Sequence, residues 1–486
     1  MMMLLAGNFD KRGLALLHGM LRRPARGQSV AAGTHSGLTL EQVQRATNTA
    51  AATRVVEQGL AGTLWRTVRV RRAAVRLEPP LSYWASYRVR LERQTKAGKD
   101  AGEERRLTLV ARACFDREDW TVYSGWLREL YNGAPCRPFD AVTGPMLVDD
   151  SQHAWWFYPV DPHLPTLAAA NDPREVRRLL SPRFSAKTPP ARIRIDTIRY
   201  LPEISAALRY RVVDRPGGPE RVVFGKLYRG GRGRELHETM QRLHALSRQH
   251  PELISVVEPL QYDEQLDLHL ENEVPGTPVG SDRLDPVFAA AALAAANALA
   301  VLHDSDLEVD DELPLQPELD RLADVVTQLS LVNPDAGRLL RDLLVHLHIR
   351  LGKAAPEVRV LTHGDMKYDQ FLEDQGRFAL VDFEDVGWSE TSWDLGKWCA
   401  HAVPSMPETW EDSDAAERAR SAFLVRYLEL RPSATVGRFP IYEAVHLANR
   451  AMVLMWGQVE GWEGAAESLL TLAMERLRTP APQVRL

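Results

Sequence analysis

Cysteine is scarce: Cys114, Cys136 and Cys399 are the only three in 486 residues. So odd and widely spaced a set excludes a disulfide framework and offers no thiolate metal site, and it implies a reducing, cytoplasmic setting. Long apolar runs are missing as well. Residues 1–6 are apolar but break at Asn8 and Asp10, with no small-residue cleavage site, and residues 287–301 are Ala-rich, shorter than a span and interrupted by Asn297. No membrane partner is expected. Charge of one sign is also lacking, since the 60 Lys and Arg nearly balance the 65 Asp and Glu for a formal net charge of −5. That balance gives no global attraction to nucleic acid, so none is expected as a partner. No repeat of solenoid period occurs.

What is present is a globular composition, 45% hydrophobic and 26% charged, in a chain long enough for about two to four domains. Residues 1–62 read as helices and loops, with a capping-box pattern at Thr39 and Gln42. Alternation in residues 65–76, 83–91 and 106–115 predicts a half-buried antiparallel sheet, followed by a helix at 119–130 and a strand at 153–160. Residues 161–190 hold several prolines and one charged helix, and read as a linker. A second unit has strands at 193–200, 208–213 and 221–228, an amphipathic helix at 236–246, and strands at 256–260 and 266–274. Its order echoes that of residues 87–158. From residue 286 onward the pattern is helical, with short strands near 358–361 and 378–381. Strands first and helices after make the fold α+β.

The chemistry concentrates in LTHGDMKYDQFLEDQGRFALVDFEDVGWSETSWDLG, residues 361–396. Phosphoryl transfer needs a group that orients or deprotonates the attacking hydroxyl, and oxygen ligands for Mg²⁺ across the nucleotide phosphates. An Asp at a loop start, a side-chain carbonyl on the same loop and a second Asp after a hairpin can converge on one point. Asp365, beside His363, is the candidate base; Gln370 and Asp382 are the candidate metal ligands.

This segment resembles the aminoglycoside phosphotransferase and choline kinase superfamily, whose signature is His-Gly-Asp, four residues, Asn, and a later Asp after an apolar strand. Gln370 stands where that family has Asn, a form similar to maltokinases and related sugar kinases, which carry an extra N-terminal cap. The resemblance implies a protein-kinase-like bilobal fold preceded by an α+β cap, with residues 1–185 as cap and linker, 186–278 as nucleotide lobe and 279–486 as helical lobe. It implies ATP and Mg²⁺ as cofactors and a small hydroxylated acceptor, a sugar or amino sugar. It also implies that Asp394 braces the catalytic loop, with Glu384 and Trp388 toward the acceptor.

A kinase of this kind needs a strand lysine on the α and β phosphates, oriented by a helix glutamate. Lys226 in VVFGKLY fits, with Glu238 preferred over Glu235 as its partner because Leu236, Met240 and Leu243 then form an adjoining core stripe. The loop at 201–207 lacks glycine; Ser205 can offer its hydroxyl to a phosphate, provided Glu203 points away. Glu271, Glu273 and Val274 match the adenine-pairing hinge. Residues 229–234, RGGRGR, read as a strand–helix turn and the acidic run 304–312 as a solvated loop. Two other functions fit less well: an antibiotic kinase, which needs an acidic pocket, and a nucleotide-binding pseudokinase or scaffold, suggested by Gln370 and the glycine-free loop.

Overall fold

The computed structural model describes residues 49–78, 82–93, 103–114, 117–134, 136–137, 143–184, 192–406, 413–457 and 459–482. The capping-box pattern at Thr39 and Gln42 lies outside them. Helix α1 (Thr49–Gly59) precedes the long strands β1 (Trp65–Glu78), β2 (Ser82–Arg93) and β3 (Glu104–Cys114). Alternation decides which side of β2 is buried: Tyr83, Ala85, Tyr87, Val89 and Leu91 pack with Ala52, Val55 and Val56 of α1, while Arg88 and Arg90 are exposed. Helix α2 (Arg117–Tyr131) covers the opposite face, setting Trp120 and Leu127 against Val110, Ala154 and Trp156. Strands β4 (Met146–Val148) and β5 (His153–Phe157) complete an antiparallel sheet of order β1-β2-β3-β5-β4.

Residues 161–184 are not the open linker that their prolines suggested. They form α3 (Leu167–Ala170) and α4 (Pro173–Phe184), whose Leu167, Val176 and Leu180 pack on Leu208, Tyr210 and Leu268 of the next sheet. Six apolar positions spaced for helical burial outweigh the breakers around them. That sheet contains β6 (Arg192–Leu201), β7 (Ser205–Val213), β8 (Glu220–Tyr228), β9 (Pro259–Asp263) and β10 (Leu268–Asn272), in the order β6-β7-β8-β10-β9. Helix α5 (Arg232–Gln249) follows its third strand, as α2 follows the third strand of the first sheet. The echo in the sequence is thus an identity of topology. Even the register agrees, for Arg112 stands opposite Ala154 as Lys226 stands opposite His269.

The short strand β11 (Thr277–Pro278) leads into the helical part. There α6 (Pro286–Asp304) starts where the Asp285 carboxylate accepts from Val287 N–H, with Pro286 at the first position. By length and composition α6 could cross a membrane, with a mean hydropathy of 1.7, but its Ala291, Ala295 and Leu299 lie in the helical core. Helices α7 (Gln316–Val332) and α8 (Pro334–Leu351) form an antiparallel pair. Strands β12 (Arg359–Thr362), β13 (Phe371–Asp374), β14 (Arg377–Leu380) and β15 (Gly387–Glu390) then frame the chemistry. Helices α9 (Ser392–Ala402), α10 (Ser413–Leu430), α11 (Phe439–Trp456) and α12 (Trp462–Arg478) close the core, and α11 is buried along its whole length. A β-rich lobe on a helical lobe is the expected protein-kinase-like arrangement.

The two sheets meet at the β6–β7 turn. Glu203 there has a φ of 65° and is turned away from the helical lobe, as its charge requires. Its carboxylate takes Arg112 of the first sheet at 3.0 Å and the Tyr123 hydroxyl of α2. Its N–H donates to Asp161 at 2.8 Å, and the Tyr200 hydroxyl donates to the same oxygen at 2.7 Å. Breaking one partner of a buried pair leaves an uncompensated charge. Arg112→Ala is therefore expected to cost about 3 kcal/mol, read as a lowered Tm. An unchanged melting curve would show that Glu203 does not depend on this cation.

Candidate active site

Strand β12 delivers the chain to His363, Gly364 and Asp365. The backbone N–H groups of His363 and Gly364 donate to the two carboxylate oxygens of Asp394, at 2.7 and 3.0 Å. Asp394 sits fully buried in the first turn of α9, so it braces the loop as expected. Gly364 has a φ of 82°, and a Cβ there would stand 1.9 Å from the Asp385 carbonyl oxygen. Only glycine permits this approach of the two loops.

His363 was expected among the reacting groups, and the geometry corrects this. Its Nε2 faces the Val381 carbonyl at 3.1 Å and its Nδ1 accepts from Asp365 N–H at 3.3 Å. Burial holds its pKa down, so it is neutral with both nitrogens engaged, and its ring packs on Phe383 at 4.7 Å. It fastens one loop to the other and has no free nitrogen to carry a proton.

Asp365 lies between Lys367 at 2.7 Å and Lys397 at 2.9 Å, all three buried. Burial alone would push its carboxyl up, but the two ammonium groups outweigh burial and hold it well below the usual range. Gln370 joins the two acids: its amide N–H donates to Asp365 at 3.0 Å and to Asp382 at 3.1 Å. The Gln370 carbonyl oxygen is buried and has no hydrogen-bond partner. Asp382 follows β14 in the left-handed region, with φ 72° and ψ 50°. Such a conformation is costly for a non-glycine residue and is typically found at functional sites. An orphaned amide oxygen beside two carboxylates is a donor set that suits a hard divalent cation.

From the β-rich lobe, Arg199 reaches within 3.6 Å of Asp382. Lys226 is half-buried, and Glu271 keeps it charged from 3.0 Å against the pull of desolvation. This corrects the expected partner: Glu238 is exposed, as is Glu235, while the core side of α5 presents His237. It also corrects the reading of Glu271, whose side chain faces Lys226 from within β10 rather than belonging to the hinge. Glu273 and Val274 follow the end of β10 in irregular chain. Ser205 is buried at the base of the turn, opposite Tyr228.

Glu384 accepts from the Tyr228 hydroxyl at 3.0 Å, and burial, reinforced by Asp382, pushes its carboxyl up to about 7. It lines a small, open pocket with Arg232, Glu235, Thr239 and Asp311. Trp388 is half-buried on β15; its N–H donates to Asp311 at 2.8 Å and its carbonyl accepts from Leu313 at 2.9 Å. Sequence reasoning missed Lys367, Lys397 and Arg199. A lysine between two tryptophans on a buried helix, as in WDLGKW, was the available signal. Gly364→Ala should lower Tm sharply, because both the steric contact and the positive φ oppose it. A melt equal to that of the parent would mean the two loops can separate without cost.

Residues 197–434 match the phosphotransferase enzyme family, APH. No curated protein sequence matches the chain. Among solved structures it is similar to a choline/ethanolamine kinase family protein of Mesorhizobium loti, at 16% identity over 59% of this chain and 89% of that one, with a TM-score of 0.40. A choline kinase of Cryptosporidium parvum gives 11% identity over 62% and 94%, with a TM-score of 0.44. A putative aminoglycoside phosphotransferase of Ralstonia eutropha gives 14% over 63% and 98%, with a TM-score of 0.46. The matched segment holds every catalytic candidate, and it belongs to the phosphotransferase enzyme family.

Proposed function

We propose that the chain transfers the γ-phosphoryl group of ATP to a hydroxyl of a sugar or amino sugar, with Mg²⁺ as the metal. The observation that carries this is the convergence of Asp365, Gln370 and Asp382 below a half-buried, charged Lys226. Asp382 and the orphaned Gln370 oxygen would hold the cation, which neutralises charge on the phosphates when bound. Lys226 would hold the α and β phosphates. The irregular backbone at Glu273 and Val274, outside the sheet, suits pairing with adenine.

Asp365 would act by position more than by basicity. Its two lysines keep it ionised, so it can accept a hydrogen bond from the acceptor hydroxyl throughout, yet they make it a weak base. A loose transition state tolerates this, since little bond to the nucleophile has formed and little positive charge builds on its oxygen before transfer. The proton then passes to Asp365 late, as the new P–O bond forms.

A sugar acceptor is supported by the likeness of the Gln370 form to sugar kinases. An antibiotic acceptor is the second reading: Glu235, Asp311 and Glu384 line the pocket, although Arg232, 3.6 Å from Asp311, offsets part of their charge. ADP release measured against a panel of neutral sugars, amino sugars, aminoglycosides and choline separates these readings, and a sugar or amino sugar should give the highest kcat/KM. Preference for choline would overturn the acceptor class.

Asp365→Asn is expected to lower kcat by about 10²–10⁴ while ATP affinity is retained. Wild-type turnover in that variant would remove Asp365 from the reaction. Asp382→Ala should abolish the Mg²⁺ dependence of nucleotide binding. Gln370→Asn should be milder than Gln370→Ala, because it keeps an amide oxygen on a shorter arm; equal and full metal affinity in both would take Gln370 out of the metal site.

A further inference from the structure

Lys226 is oriented by a strand carboxylate, and that carboxylate is itself held. Glu271 uses one oxygen for Lys226 at 3.0 Å and the other for His269 Nε2 at 3.2 Å. His269 is fully buried; its Nδ1 faces His237 Nδ1 of α5 at 3.0 Å. His237 Nε2 in turn meets the Gln241 amide at 3.2 Å. We propose that His269 and His237 are positioning residues that hold the Glu271–Lys226 pair toward the nucleotide phosphates and tie it to helix α5. The proposal rests on the reading of Lys226 as the phosphate lysine.

With one proton on each ring, the hydrogen bonds along this line run in a single direction. A carboxylate can only accept, so His269 carries its proton on Nε2 and donates to Glu271. With one proton on each ring, His269 Nδ1 must accept, so His237 carries its proton on Nδ1 and donates. That leaves His237 Nε2 bare, and the Gln241 N–H donates to it. Every polar atom from Gln241 to Lys226 is matched without a second proton on either ring. A fully matched buried network is rigid, and one mismatch is costly. A displacement of α5 therefore reaches Lys226 through two rings, where a direct helix glutamate would transmit it through one ion pair.

The first sheet supplies the internal contrast. At matching register Arg112 replaces Lys226, and the residues in place of His269 and Glu271 are Ala154 and Trp156. Arg112 spends its charge on Glu203 at the joint between the sheets. The same topology thus carries the relay only where a basic strand residue faces the catalytic loop.

The test measures ATP and adenosine dissociation constants by calorimetry on the full chain and on Lys226→Met, His269→Ala, His269→Gln and His237→Ala. His269→Ala should weaken ATP by about tenfold or more, the scale seen when a partner that orients a ligand is removed. Adenosine affinity should stay within about twofold, since only phosphate contacts are disturbed. His269→Gln should recover most of the loss, because its amide can donate to Glu271 and accept from His237. Adding Lys226→Met to His269→Ala should cost no more than Lys226→Met alone. Should His269→Ala fail to fold, His237→Ala and His269→Gln carry the same comparison. Equal losses for ATP and adenosine would reduce the histidines to packing and overturn the proposal. If Lys226→Met loses ATP affinity and the histidine variants do not, the relay alone is wrong. If Lys226→Met binds ATP normally, the reading of the site falls with it.

Discussion

A buried carboxylate stays ionised only where cations stand against it, and Asp365 has two of them at hydrogen-bond distance. Much of the surrounding structure follows from that requirement. Lys397 must be brought in from α9, so the helix has to lie under the loop, and its lysine also donates to the Gly364 carbonyl at 2.8 Å. Asp394, three residues earlier on the same helix, then falls beneath the N–H groups of His363 and Gly364. Trp393 adds its indole N–H to the Gly364 carbonyl at 3.0 Å. One turn of α9 therefore fixes both the backbone and the charge of the loop. Removing any of these partners would leave a buried polar group unpaired, at a cost that protein interiors rarely carry.

The same logic of paired burial governs the β-rich half. Two sheets of identical order are put to different uses by a few side chains at equivalent places. In the first, Arg112 is consumed by Glu203, and the β6–β7 turn is thereby held to residues of the N-terminal sheet and to Asp161. In the second, Lys226 is left facing the helical lobe, with Glu384 and Asp382 near enough to sustain its charge. We propose that the N-terminal region acts as a cap that steadies this turn and supplies no reacting group.

Much of this was legible in the sequence because it depends on local pattern. Alternation placed the strands of both sheets within a few residues of their observed ends, except the three-residue β4, which is too short to show a pattern, and the loop from His363 to Asp382 announced its chemistry through residue type and spacing. What escaped was set by partners far apart in the chain. Glu238 looked right by helical phase, but the lysine found Glu271 on the neighbouring strand, which only the β8–β10 register brings close. His363 looked reactive beside Asp365 until both its nitrogens proved to be occupied. Residues 161–184 looked like a linker because prolines mark breaks locally, while the apolar contacts that hold them lie on another sheet. The glycine-free turn is explained in the same way: its Glu203 serves a distant arginine.

The claim at the centre is that a phosphoryl group passes from ATP to a hydroxyl at Asp365. The most direct measurement is ³¹P NMR of the full chain with ATP, Mg²⁺ and a mixture of sugars and amino sugars, followed over time. The account predicts a phosphomonoester resonance that grows in step with ADP and is absent without acceptor. ADP accompanied only by inorganic phosphate, or ATP left intact across every acceptor, would contradict it.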